Sequence, residues 1–178
     1  MQDAAAFEAF YAAHRRHVVA YCLRRASRAD AHEAADETLL IAWRRLDDIP
    51  EGQERAWLYG VAYRVLANQH RGERRRRRLQ ARLGQLRSDP VAGPEVDVMR
   101  AEERDLVLAA LHRLRPPDQE VLRLATWEEL AHDELGIALD CEPAAARQRL
   151  HRARERLVQE LERAERRVFS VARWRSDD

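Results

Sequence analysis

"CEPAAARQRLHRARERL", residues 141–157, decides how the rest of the chain is read. Five arginines follow a single proline. At about 100° per residue on a helix, Ala146, Leu150, Ala153 and Leu157 fall on one narrow stripe. Ala144, Arg147, Gln148, His151 and Arg152 fall broadly opposite. Pro143 suits the first helical position, where its missing N–H is not needed. Such a helix is either a solvated arginine-rich surface with an apolar seam or a helix built to enter a groove of DNA. The small Ala144 and Ala145 would let its first turn approach base edges closely. The pattern alone leaves both readings open.

Working outward, "ELAHDELGIALD" at 129–140 is a shorter amphipathic segment with Leu130, Leu135, Ala138 and Leu139 on one side. A short turn separates it from the longer helix. Two helices so joined follow the plan of a helix-turn-helix, whose second helix lies in the major groove with its first residues on base edges.

Apolar residues recur at spacings of three and four almost from end to end, and no strand pattern or repeat appears. The expected helices cover about 7–22, 31–46, 55–78, 99–114, 117–126, 128–138 and 142–167. Phe7, Phe10, Tyr11 and His14 open the first, which continues or restarts through Val18, Tyr21 and Cys22. "DDIPEGQE" at 47–54 reads as a loop. "GQLRSDPVAGPEVDV" at 84–98, with two glycines and two prolines, reads as a linker. The expected fold is all-α: two small helical domains on a flexible tether, the second a helix-turn-helix. The divisions are 1–80, a linker at 81–101, a domain at 102–167 and a tail at 168–178.

A chain of 178 residues holds one ordinary domain or two small ones. Its net charge of +1 hides alternating blocks. Residues 28–55 carry eight acids against four arginines, and residues 64–87 carry nine arginines against Glu73. All 32 basic residues are arginine, whose planar fork suits phosphate and guanine. The blocks suggest a basic surface for an acidic polymer and an acidic surface for a basic protein. Two cysteines, Cys22 and Cys141, form no disulfide framework, so a reduced, cytoplasmic setting is expected. No signal peptide is visible, and no stretch approaches the roughly 20 apolar residues that span a bilayer.

No enzyme site converges in the sequence: there is no nucleophile–base pair, no phosphate loop and no set of metal ligands. "HEAAD" at 32–36 places His32 and Asp36 four apart, but it is not His-Glu-x-x-His and lacks a third ligand. His14 and His17 read as surface residues. No cofactor is expected.

Two stretches resemble the small two-domain sigma factors of bacterial RNA polymerase, the extracytoplasmic-function group. The first is "DAHEAADETLLIAWRRL", 30–46, similar to the family's acidic helix. "RAWLYGVAYRVLANQHRGERRRR", 55–77, follows with the Trp-Leu-Tyr start and basic end of the family's next helix. The second stretch, "LHRLRPPDQEVLRLATWEELAHDELGIALDCEPAAARQRLHRARERL", 111–157, resembles the C-terminal DNA-binding domain. The likeness covers roughly 7–162. Departures lie mostly at the recognition helix: Glu142 stands for the usual Ser, Ala144-Ala145-Ala146 for Gly-Thr-Val, and Asp140 for the usual Gly. In the acidic helix, Asp36 stands where Gln is common, and Ala34 and Ala35 replace larger apolar residues.

The resemblance implies a promoter-directing subunit that makes no bonds itself. Asp30, Glu33, Asp36 and Glu37 would dock on the clamp helices of the polymerase β′ subunit, with Leu40 or Trp43 burying apolar area. For Trp43 itself a core position is expected. The β flap is the second implied polymerase contact. Arg55, Tyr59, Arg64, Asn68, His70, Arg71, Arg74 and Arg75 would meet the −10 element, holding unstacked bases beside a basic surface. Trp57 and Tyr63 read as core or half-core. Arg147, Gln148, Arg149, His151 and Arg152 would meet the −35 element. Arg149, Arg154 and Arg156 are expected on phosphates or acidic neighbours. An anti-sigma protein clamped between the domains is a further implied partner. The competing reading is a stand-alone helix-turn-helix regulator on duplex DNA, a dimer with palindromic sites. The acidic helix and the separate basic helix argue against it.

Overall fold

The computed structural model describes residues 4–82 and 98–174, with side chains except at 4, 74, 77–82, 98–104, 165 and 167–174. The described residues are helical, with no strand: α1 (Ala4–Leu23), α2 (Arg28–Arg44), α3 (Glu54–Arg82), α4 (Val98–Arg113), α5 (Pro116–Thr126), α6 (His132–Ala138) and α7 (Pro143–Trp174). A short 3-10 turn, Leu46–Asp48, follows α2. Most of the expected linker, 81–101, lies outside the described residues.

The chain divides into two units, one of residues 1–89 with 133–142 and one of 90–132 with 143–178. In the first, α1 packs on α2 and both pack on α3. Val18, Tyr21 and Cys22 meet a stripe of Ala31, Ala34, Ala35, Leu39 and Ala42, together with Leu58, Val61, Ala62, Val65 and Leu66, all buried. The alanines of α2 keep its buried face thin. Thr38 is the one hydroxyl in that stripe, and its Oγ1 donates to the Ala34 carbonyl at 2.7 Å. This local bond satisfies the buried donor without a partner on another helix. In the same unit, a Cβ added at Gly60 of α3 would lie 2.6 Å from the carbonyl oxygen of Ala138 on α6, so only glycine permits that approach.

Helix ends follow their capping chemistry. Ser27 caps α2: its Oγ accepts from the Asp30 N–H at 3.3 Å and donates to the Asp30 carboxylate at 2.6 Å. That cap starts α2 at Arg28, three residues ahead of the expected 31. α1 is continuous, so the first segment does not restart at Val18.

The second unit packs α7 against α4 and α5. Its core includes Ala110, Leu111, Leu114, Val121, Leu122, Leu124, Ala146, Leu150, Ala153 and Ala164. Pro116 and Pro117 open α5, and Arg115 before them is extended at ψ 146°, as a residue preceding proline must be. Gln119 holds this junction by donating to the Leu114 carbonyl at 2.8 Å.

Two elements differ from expectation. The helix expected over 128–138 begins only at His132, because Glu129 takes φ +54° and the Leu130 N–H turns back to the Leu124 carbonyl at 3.1 Å. α7 runs to Trp174, so residues 168–174 continue the helix through most of the expected tail. At 32 residues α7 is about 48 Å long.

Candidate nucleic-acid interface

The turn before α7 is built as a helix stop followed at once by a helix start. Asp140 sits at φ +52°, in the left-handed region. Its N–H reaches the Ile137 carbonyl at 3.2 Å, and the Cys141 N–H reaches the Gly136 carbonyl at 2.9 Å. This pair of bonds is the Schellman closure of α6. Glycine is the usual occupant of such a position, and aspartate is among the few other residues that tolerate it. The departure at 140 therefore keeps the backbone geometry. Pro143 then opens α7 as its first residue.

From that start α7 sorts its side chains cleanly. Ala146, Leu150 and Ala153 are buried, at 0, 3 and 0% exposure. Arg147, Gln148, Arg149, His151 and Arg152 are all exposed. Four of the five are donors with long reach, which suits phosphate oxygens and base edges. Arg154 is exposed, while Arg156 is half-buried and donates to both carboxylate oxygens of Asp118 at 2.7 and 2.8 Å. Arg156 thus braces α7 against the first turn of α5.

On α3, Arg55, Arg64, Asn68, His70, Arg71 and Arg75 are exposed. Arg71 donates to the Asn68 side-chain oxygen at 2.5 Å, which aligns two of them. Arg74 lies outside the described side chains. Tyr59 is not among these exposed residues. It is 4% exposed, and its ring stacks on Tyr21 at 4.8 Å and 9°. Apolar area and ring stacking hold it in the core, so it is not free to receive a base. Trp57 is buried under the Arg45 guanidinium, 5.7 Å from its ring, and Tyr63 is half-buried.

On α2, Glu33, Asp36 and Glu37 are exposed, and Asp30 is tied into the Ser27 cap. Leu40 is 47% exposed beside them. Trp43 is half-buried, its ring edge-on to Phe7 at 4.7 Å. Leu40 and Trp43 line an open apolar groove of about 570 Å³ with Phe7, Glu8, Tyr11, Asp36 and Leu39. In the sequence, Phe7 and Tyr11 mark a helix start and nothing places them in this groove. Their spacing was visible; their packing against α2 was not.

His14 is half-buried rather than on the surface. Its ring centroid lies 4.5 Å from that of Phe10, and its Nδ1 is buried without a hydrogen-bond partner. Burial holds its pKa below the usual 6.5, against the opposing field of Glu54. Glu54 lies below its ordinary range because its own N–H and that of Gly52 bond its carboxylate. Among the described residues no group of three His, Cys, Asp or Glu side chains could hold a metal ion. No helix among them is long and apolar enough to cross a membrane.

Residues 10–76 match the model of Sigma-70 region 2, and residues 104–157 that of Sigma-70, region 4. The chain is 30% identical over 139 residues to the RNA polymerase sigma factor NccH of Alcaligenes xylosoxydans xylosoxydans, covering 73% of this chain and 72% of that one. It is 22% identical over 169 residues to the ECF RNA polymerase sigma-E factor of Haemophilus influenzae, covering 90% and 89%. Among solved structures, the fold is similar to the sigma factor RpoE in complex with the anti-sigma factor NepR from Bartonella quintana. That match has a TM-score of 0.61 and 21% identity, over 88% of this chain and 97% of that one. CnrH in complex with the cytosolic domain of CnrY has a TM-score of 0.56 and 21% identity, over 90% of each chain. With regions 2 and 4 in order and the acidic and basic faces exposed, the chain belongs to the extracytoplasmic-function group of the sigma-70 family, the RNA polymerase sigma factors that direct core polymerase to promoter DNA.

Proposed function

We propose a division of labour among three helices of this sigma factor. α2 docks on the β′ clamp helices through Glu33, Asp36 and Glu37, with Leu40 beside them and Asp30 fixing the helix start. α3 meets the −10 element through Arg55, Arg64, Asn68, His70, Arg71 and Arg75, with Arg74 in the same run. α7 meets the −35 element, with Arg147, Gln148, His151 and Arg152 on base edges and Arg149 on phosphate. The domain carrying α7 also meets the β flap. The functional domains proposed are 1–80 and 102–167, which differ from the compact units in that 133–142 belongs to the first of those units. The chain performs no chemistry of its own and works in the cytoplasm.

The observation that carries this reading is the sorting of charge. Each of the three helices buries an apolar face and exposes a face of one dominant sign, acidic on α2 and basic on α3 and α7. A basic protein partner and a polyanion are the matching surfaces. An anti-sigma factor is a further proposed partner, on the strength of the relative solved with NepR.

The test is transcription in vitro, with core polymerase, this chain and a pool of genomic promoter fragments. Asp36→Arg with Glu37→Arg, and Arg147→Ala with Arg152→Ala, run beside the wild type. The expected result is promoter-selective transcripts that vanish with the first pair and weaken or change start site with the second. Duplex binding without selective transcripts would move the weight to a stand-alone regulator.

A further inference from the structure

Residues 133–142 lie within the stretch that matches region 4, yet they pack with the first unit. Their seat is on α3. Gln53, just before α3, donates a long hydrogen bond of 3.5 Å to the Asp133 carboxylate. The backbone of Ala138 closes on Gly60 so tightly that a Cβ there would meet its carbonyl oxygen at 2.6 Å. Asp133 lies in the first turn of α6 and Ala138 ends it. α6 therefore runs in the same general direction as α3 and finishes beside Gly60.

The burial of α3 agrees. Residues 56–62 are buried without a break, so this part of the helix is enclosed all the way round. Leu58, Ala62 and Val65 belong to the core shared with α1 and α2. Gly60 points about 140–160° away from them at about 100° per residue, and Ala56, one turn earlier, shares its side. Both are small, which lets a second backbone come close. One turn later the same side of α3 becomes basic. Arg64, Asn68, Arg71 and Arg75 lie within about 80° of Gly60 and are exposed. Arg64 stands about 6 Å along the helix from Gly60. A helix with its side chains is about 10 Å across, so α6 forms a step of that height at the head of the basic stripe. DNA laid along the stripe as far as Gly60 meets α6.

We propose that the seat of α6 on α3 is an autoinhibitory contact: in the chain alone α6 covers the head of the Arg64–Arg75 stripe, and it must leave Gly60 before promoter DNA takes that side of α3. This rests on the reading that α3 engages promoter DNA. α6 and DNA exclude each other there, so the affinity of the chain alone scales with the fraction of molecules in which α6 has left. Gly60 makes no contact with DNA; it acts by having no side chain.

The test uses the full chain and a labelled single-stranded DNA of mixed sequence. Amide hydrogen exchange over 133–138 and melting by circular dichroism are recorded alongside. Gly60→Ala drives a methyl group into the Ala138 carbonyl while favouring the helix of α3. Gln53→Glu sets a second carboxylate against Asp133 without adding bulk, and it decides the matter if Gly60→Ala folds poorly. Each is expected to quicken exchange in α6 and to raise DNA affinity at least about fivefold. Faster exchange with unchanged affinity overturns the proposal, because α6 then leaves without freeing a DNA surface. Exchange and affinity unchanged in both variants overturn it as well, because α6 then has no seat to lose. Arg64→Ala with Arg71→Ala tests the underlying reading. A slope of log affinity against log salt flattened by about 1.4 keeps α3 on phosphate whatever the first two variants do. An unchanged slope removes that reading and the proposal with it.

Discussion

Arg156 places one guanidinium nitrogen 2.7 and 2.8 Å from the two carboxylate oxygens of Asp118, 38 residues earlier in the chain. The contact joins the middle of α7 to the first turn of α5, and it separates Arg156 from the other arginines of its helix. Asp118→Ala is expected to lower the stability of the second unit by about 1–2 kcal/mol, read as a shift of the urea midpoint. Arg156→Ala should do the same and leave the salt slope of DNA binding unchanged. Arg152→Ala should leave stability unchanged and flatten the duplex slope by about 0.9. A flattened slope for Arg156→Ala would put that residue on phosphate instead.

The Tyr21–Tyr59 stack makes a second expectation. Tyr59→Ala removes a buried ring and should destabilise the first unit by about 3–5 kcal/mol, measured by thermal or urea unfolding. Tyr59→Phe keeps the stack and should retain promoter opening. Loss of opening by a well-folded Tyr59→Phe would return this residue to the DNA face.

At Asp140 the backbone itself is the variable. Asp140→Gly relieves the left-handed conformation and should stabilise the turn by up to about 1 kcal/mol. Asp140→Val, branched at Cβ, should destabilise it by about 1–2 kcal/mol. Melting temperatures of the two variants order the effect, and the reverse order would show that the aspartate side chain holds the turn.

The stability of the first unit should fall on acidification through the histidine range. Burial lowers the pKa of His14 in the folded chain from its usual 6.5, so below that value the unfolded chain takes up a proton that the folded chain refuses. Stability is full above about pH 6.5 and declines as pH falls toward the lowered value. The bonded Glu54 carboxylate acts in the same sense at lower pH, since its pKa is also lowered in the folded chain. Unfolding free energy measured between about pH 7.5 and 5.5 should decline for the wild type and flatten for His14→Gln. An equal decline in both would assign the effect elsewhere.

Gln69 offers an engineering check. Both of its amide atoms are buried without a hydrogen-bond partner. Gln69→Met removes that desolvation cost at similar volume and should raise stability by about 1 kcal/mol, seen in the urea midpoint. A loss of stability would mean that the amide is satisfied in solution.

Much of this was readable along the chain because helices are periodic. The stripe Ala146, Leu150, Ala153 and Leu157 and its opposite basic face follow from spacing alone; the structure buries the first three, leaves Leu157 half-buried and exposes the arginines opposite. Pro143 at a helix start and the linked motifs of regions 2 and 4 are likewise local patterns. What sequence order could not supply is which polar or aromatic residue another helix would cover. Tyr59 looks as available for a base as His70, until Tyr21 arrives from α1 and stacks on it. Arg156 looks like Arg152, until Asp118 of α5 takes its guanidinium. Phe7 and Tyr11 become walls of a groove only because α2 lies against them. Burial and pairing are properties of two segments brought together, and a one-dimensional pattern carries only one segment at a time.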